Sequence, residues 1–369
     1  MKTTRRNNVP MTRVAPVLLS LLLVAGSGCR SIGPGTIPRD RHDYSGSIAE
    51  SWKRQTLLNI VKLRYLDPPI FVDVGQIVAG YSMETSGNLG GQLSSSGAIQ
   101  GNSLAIGGAA RFTDRPTVTY IPLTGDRFVR ALMTPLSPEA VFSTIESGWP
   151  AEAILFATVS RLNGLRNQEA SATGFSEAEP RFLRALQLFG RIQAAGVVSL
   201  RAERDPQNQQ TTLMTIHSKS ISEQALADAS ELRQLLGLSA DATDFRLVYG
   251  SLAANDRELA IKPRSLLHIL GIMAAQVEVP AEDVARGRAA PGVVEAGQHS
   301  APVIRLARIL SSQSKPTHAF VTVQYRDRWF WIEDEDLQSK RAFAFIMMLF
   351  TLTDSGEKQG LPVLTIPTQ

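Results

Sequence analysis

The chain has one cysteine, Cys29, in 369 residues, and it stands at the end of an apolar leader. No disulfide can form within the residues that follow, so whatever folds there must be held by packing alone. About 340 residues remain after the leader, enough for one large or two ordinary domains. Apolar residues make up 43% and charged residues 20%, the balance of a globular chain and not of a disordered one.

The leader begins with Lys2, Arg5, Arg6 and Arg13 and contains no acid. An apolar stretch covers residues 14–26, and small residues Gly26, Ser27 and Gly28 lead into Cys29. Basic, apolar, then small is the order of a secretory signal. The apolar run is about 13 residues, whereas a helix needs about 20 to cross a bilayer. The segment Leu23-Val24-Ala25-Gly26-Ser27-Gly28-Cys29 resembles the lipobox of bacterial lipoproteins, with Gly26 where that family favours Leu. The resemblance covers residues 1–29. It implies that Cys29 receives a diacylglycerol and becomes the new N-terminus, with membrane lipid as its partner. Two or three acyl chains anchor stably where one is marginal. Arg30 follows the cysteine, which by the same resemblance implies the outer membrane, facing the periplasm.

A net charge of +4 invites a nucleic-acid reading. Residues 1–28 hold four of the 38 basic residues and none of the 34 acidic ones, so the remainder is 34 against 34. A neutral, exported body without clustered cations lacks the means to displace phosphate counterions. No nucleic-acid partner is expected.

Residues 30–46, rich in Gly, Pro and charge, read as a tether after the lipidated cysteine. A helix is expected over 47–66, capped by Ser47 and stopped by Asp67-Pro68-Pro69. Residues 70–123 read as a β-hairpin or meander with a Gly/Ser-rich tip, and 124–195 as a helical block. In that block a helix over 150–161 precedes a polar loop over 163–174, and Ser176 caps a longer helix. The remainder, 196–369, shows strand pairs alternating with helices, including strands over 303–310 and 363–366. Short turns between adjacent strands imply antiparallel pairing. The expected fold is α+β: antiparallel sheet with helices packed on one face, preceded by the hairpin or meander and the helical block.

Enzyme signatures are scarce. Five histidines, His42, His217, His268, His299 and His318, are not at metal-ligand spacing. His268, inside an apolar helix, reads as a residue with a local hydrogen bond. Ser312-Gln313-Ser314-Lys315 has Ser-x-x-Lys spacing, but Pro316 makes it a turn, not the helix that chemistry needs. Glu333-Asp334-Glu335-Asp336 reads as the acidic start of a helix, where carboxylates meet free N–H groups, and only secondarily as a cation site. Trp329 and Trp331 fall on one face of a strand and Phe330 on the other, either as core or as a stacking platform for sugar rings. Residues 343–352 are apolar all round, so that helix should be buried by its own domain or by a partner. No cofactor is expected.

The leading functional expectation is a lipid-anchored envelope protein that docks on or assembles with other envelope proteins without catalysis. A cell-wall glycan binder or hydrolase using the Trp329/Trp331 face is the alternative. A third reading takes residues 70–123 as a hairpin donated to an oligomeric outer-membrane barrel, with 78–81 and 104–112 facing lipid; its rival is a surface hairpin with a loose tip.

Overall fold

The computed structural model describes residues 37–78, 81–92, 103–171, 174–204, 210–217, 222–293 and 305–353. The leader, Cys29 and the strand expected at 363–366 lie outside them. The chain is of the α+β class and divides into two compact units, one from Met1–Glu50 with Val74–Ile121, the other from Ser51–Asp73 with the rest.

Helix α1 (Ile37–Arg64) starts ten residues before the expected Ser47 cap, so residues 37–46 are helical and not tether. Its buried residues, among them Leu57, Ile60, Val61 and Arg64, all lie in its second half. They recur every three or four positions, as a core-facing helix requires. Leu66 adopts φ 59°, and the two prolines after Asp67 prevent continuation. The departing strand is then held by the helix itself. Asn59 donates to the Ile70 carbonyl at 2.8 Å and accepts from its N–H at 3.0 Å. Gln55, one turn earlier, does the same to Val72 at 3.0 and 2.6 Å. Two amides spaced i, i+4 thus imitate a neighbouring strand.

The first unit contains two ribbons. Strand β1 (Val72–Val78) pairs with β4 (Thr117–Pro122), and β2 (Tyr81–Gln92) with β3 (Ser103–Asp114). At Gly75 an added Cβ would lie 2.4 Å from the end of the Ile121 side chain, so a larger residue there requires that side chain to move.

In the second unit, α2 (Gly125–Phe128) runs into a π-helical turn over Val129–Met133. Next come α3 (Pro138–Glu146) and α4 (Ala151–Thr158). Ser137 caps α3, accepting from the Ala140 N–H at 3.1 Å. The expected 150–161 helix stops at Thr158 and its end becomes strand β5 (Val159–Leu162), while β6 (Leu165–Arg166) and β7 (Glu169–Ser171) lie in the expected polar loop and β8 (Gly174–Ser176) begins at its end. The cause is Asn163-Gly164, both at positive φ, the two-residue turn that matches strand twist. Ser176 therefore lies in a strand. Helix α5 (Pro180–Ala194) begins at Pro180, with Glu179 as its cap residue, because proline favours the first helical position and holds its predecessor extended.

Strands β9 (Val198–Arg204) and β10 (Gln210–Ile216), helix α6 (Glu223–Leu236), and strands β11 (Asp244–Tyr249) and β12 (Glu258–Pro263) complete a six-stranded sheet of order β6-β5-β12-β11-β10-β9. Ser222 and Gly237 close α6, the serine accepting from the Ala225 N–H and the glycine at φ 65°. One expectation fails: β11 and β12 are parallel. The eight residues between them are enough to carry the chain back along a six-residue strand in extended form, so a short connection does not enforce a hairpin here. One sheet face buries Met214, Ile216, Phe245, Leu247, Leu259 and Ile261, and α3 lies against β9, β11 and β12.

After α7 (Leu266–Ala274) and the short α8 (Ala281–Ala285), strands β13 (Leu310–Ser312), β14 (Val321–Tyr325) and β15 (Arg328–Ile332) form a second antiparallel sheet of order β13-β15-β14. Of the strand expected over 303–310, the described residues 305–309 are not strand. Helix α9 (Leu337–Thr353) buries Phe343, Phe345, Ile346 and Leu349 in the unit's own core. Phe345 lies 5.3 Å from Trp149 and Phe350 5.0 Å from Phe71, so the apolar helix is covered largely from within. Tyr65 at the end of α1 packs edge-on to Phe330 at 6.3 Å and bonds Asp283 at 2.9 Å. Burial, and then that bond, push its phenol up to about 12, so it remains a donor.

Candidate functional site

Three places carry chemistry: the β2–β3 ribbon in the first unit, and a cleft and a sheet face in the second.

The ribbon pairs in continuous antiparallel register from Tyr81↔Asp114 to Gln92↔Ser103. Residues directly opposite share a face, and neighbours along a strand alternate. One face therefore collects the Met83↔Phe112, Thr85↔Ala110, Gly87↔Gly108 and Leu89↔Ile106 pairs, with Tyr81 and Leu104 near its ends. The other collects Ser82↔Thr113, Glu84↔Arg111, Ser86↔Ala109, Asn88↔Gly107 and Gln92↔Ser103. Apart from Asp114 on the last rung, one face is apolar or small throughout and the other polar or small. The expectation that 104–112 faces lipid as a run is corrected by this alternation: Ala105, Gly107, Ala109 and Arg111 belong to the polar face. Glu84, Ser86 and Asn88 are exposed, and so are Gly87, Gly108 and Ala110 on the opposite face. Among the described residues neither outer edge has a further strand.

The cleft, about 360 Å³, is walled by Leu63, Leu66, Met133, Leu267, Ala274 and Pro291, with Arg64, Ser265 and His268 as polar lining. His268 does not make the expected local bond. Its Nε2 meets the Glu169 carboxylate at 2.8 Å, from a strand 99 residues earlier in the chain. Behind them Arg264 is 1% exposed. It donates to the carbonyls of Phe156 at 2.8 Å and Ala157 at 3.0 Å, and also to Gln168. It thereby closes the carbonyl end of α4. Burial pushes the guanidinium down to about 10, against the pull of Glu169. Burial acts to raise the Glu169 pKa, but the His268 bond, with Arg264 behind it, outweighs that and leaves it below the usual carboxylate value. Ser265 caps α7 by accepting from the His268 N–H at 3.3 Å. The arrangement holds a proton donor and acceptor side by side, but its hydroxyl is engaged in capping. Glu169 escaped the sequence reading because it lay in a presumed loop.

The sheet face carries Trp329 and Trp331, both half-buried, while Phe330 between them is fully buried. Strand rise separates the two indoles by about 7 Å along β15. Ser312 and Gln324 flank Trp329, and Leu310 and Thr322 flank Trp331. The Lys315 ammonium stands 5.4 Å from the Trp329 ring, and the Trp331 indole donates to Glu333 at 3.3 Å. Ser312 ends a strand and donates to the Ser314 carbonyl, so Ser312 and Lys315 are not set one helical turn apart. The acidic run is divided among separate tasks. Asp336 accepts from the Ser339 N–H at 3.0 Å at the start of α9, and Asp334 pairs with Lys340 at 2.7 Å, which holds its carboxyl low. Among the described residues no three His, Cys, Asp or Glu side chains converge as a metal site, and no helix is long and apolar enough to cross a membrane.

Comparison with known proteins adds no relative: no family model, curated protein or solved structure matches the chain.

Proposed function

We propose that the chain is a lipid-anchored protein of the cell envelope, held at the outer membrane through Cys29, and that its work is assembly and not catalysis. The address rests on the basic, apolar and small-residue order that ends at Cys29. The assembly role is carried by one observation, the β2–β3 ribbon. Twelve paired rungs, exposed on both faces at the described central positions and with no further strand on either edge among the described residues, offer a long surface for pairing. An isolated two-stranded ribbon is marginal in water, and free edges template further pairing.

Mass spectrometry of the N-terminal peptide from native material tests the address. A diacylglycerol-modified Cys29 at the new N-terminus is expected, and Cys29→Ala should move the protein from membrane to soluble fractions. An unmodified thiol behind an intact leader would overturn the reading.

A second reading, a cell-wall glycan binder, is supported by the two half-buried indoles flanked by Ser312, Thr322 and Gln324. Co-sedimentation of the protein with peptidoglycan, lost in a Trp329→Ala/Trp331→Ala double variant, is its test; absence of co-sedimentation removes it.

A further inference from the structure

We infer that the β2–β3 ribbon is a membrane-spanning hairpin, and that copies of this chain join theirs edge to edge into a closed β-barrel with a water-filled lumen. This rests on the envelope reading above and names the partner as a second copy. Four observations carry it. First, the strands are twelve residues each, whereas a tilted transmembrane strand needs about 9–11. Second, the register sorts residue types by face, with Met83, Phe112, Leu89 and Ile106 on one side and Glu84, Arg111, Ser86 and Asn88 on the other. That is the apolar-out, polar-in period of barrel strands. Third, the ribbon is ill suited to water. Its glycine- and alanine-rich strands have weak β-preference, and exposed Gly87, Gly108 and Ala110 offer no side-chain bulk for a protein core to pack on. Fourth, the two edges, which carry no further strand among the described residues, belong to antiparallel strands of equal length. Setting β3 of one copy beside β2 of the next continues an up-and-down order. A head-to-tail contact of this kind makes a ring when its rotation closes. The seam joins the strand bearing Arg111 to the strand bearing Glu84, so charges of opposite sign alternate around the lumen.

Lipid is the occupant of the apolar face, because in a bilayer only a closed sheet satisfies every backbone N–H and carbonyl. The smallest barrels have about eight strands, so at least about four copies are required if each gives one hairpin.

The test uses the full, acylated chain reconstituted into phosphatidylcholine/phosphatidylglycerol vesicles. Single cysteines are introduced at Ser86 and Asn88 on the polar face, and at Gly87 and Ala110 on the apolar face. The acylated Cys29 is unreactive, and an added Cβ at Gly87 meets nothing within 4 Å. A water-soluble, membrane-impermeant maleimide should label Ser86→Cys and Asn88→Cys rapidly and Gly87→Cys and Ala110→Cys at least several-fold more slowly. Ring-shaped particles and stepwise ion conductance should accompany that pattern. Equal labelling at all four positions, or a monomer without conductance, overturns the barrel while leaving lipid anchoring intact. A Cys29→Ala chain that still gives the alternating pattern and conductance supports the barrel and shows that it forms without the lipid.

Discussion

Gly87→Arg and Asn88→Arg place the same cation on adjacent residues of one strand, on opposite faces of the ribbon. Twelve residues at about 3.3 Å each, tilted by about 45°, span roughly 28 Å, close to the apolar band of about 25 Å on membrane barrels. Gly87 pairs with Gly108 on the seventh of twelve rungs from Tyr81, so it falls near the bilayer midplane. An arginine on the lipid face at that depth costs about 2–4 kcal/mol, roughly a 30- to 1,000-fold loss in insertion equilibrium for each copy. In a closed ring that cost recurs in every subunit. Asn88→Arg puts its charge toward the lumen, where water solvates it, and should insert like the parent protein. Flotation of the purified chain with vesicles measures the inserted fraction, and planar-bilayer recording measures conductance. Gly87→Arg should remain with unincorporated protein while Asn88→Arg floats and conducts. Equal behaviour of the two variants would refute the assignment of faces.

Three further outcomes concern the second unit. Arg264→Met leaves the carbonyls of Phe156, Ala157 and Gln168 without their donor and should lower stability, at about 1–3 kcal/mol for each buried group left unsatisfied; urea unfolding with an unchanged m-value measures it. Glu169 has a lowered folded pKa, so its contribution is present above its unfolded value and lost as pH falls through the folded one. His268→Gln should therefore flatten the acid side of the stability–pH curve, and an unchanged acid limb would contradict the pairing. Phe330→Ala, at a fully buried site, should cost about 3–5 kcal/mol, while Trp331→Ala on the half-buried face should cost visibly less in the same thermal scan; equal losses would place both rings in the core.

Local rules were legible where one residue type does one job. Ser137, Ser222 and Gly237 mark helix ends because a hydroxyl before the first turn and a glycine after the last satisfy backbone groups directly. The Trp329-Phe330-Trp331 alternation follows from strand period alone. Asn163-Gly164 was equally readable in principle, but an apolar helical pattern running through Val159 masked it. The parallel pairing of β11 and β12 depends on a long-range choice of neighbour that no local pattern encodes. Likewise, Glu169 meets His268 only because the β6–β7 segment and α7 converge on the buried Arg264. The ribbon lies between these cases. Odd and even positions from Tyr81 to Gln92 already differ in polarity, yet glycine carries little hydropathy signal and the ten residues between β2 and β3 leave the cross-strand register open. Fixing Leu89 opposite Ile106 turns two weak alternations into one consistent face.

Arg326 and Asp327 join β14 to β15 with φ of 46° and 62°, a turn conformation in which asparagine and glycine are at ease and arginine is not. The strain persists because the Arg326 guanidinium lies 4.8 Å from the Tyr65 ring and bonds Asp67 at 3.2 Å, across 259 positions of sequence. Such a hairpin has little tendency to close on its own. Its closure is favoured once α1 is in place, so the amides of this sheet are expected to gain protection from hydrogen exchange after those of α1.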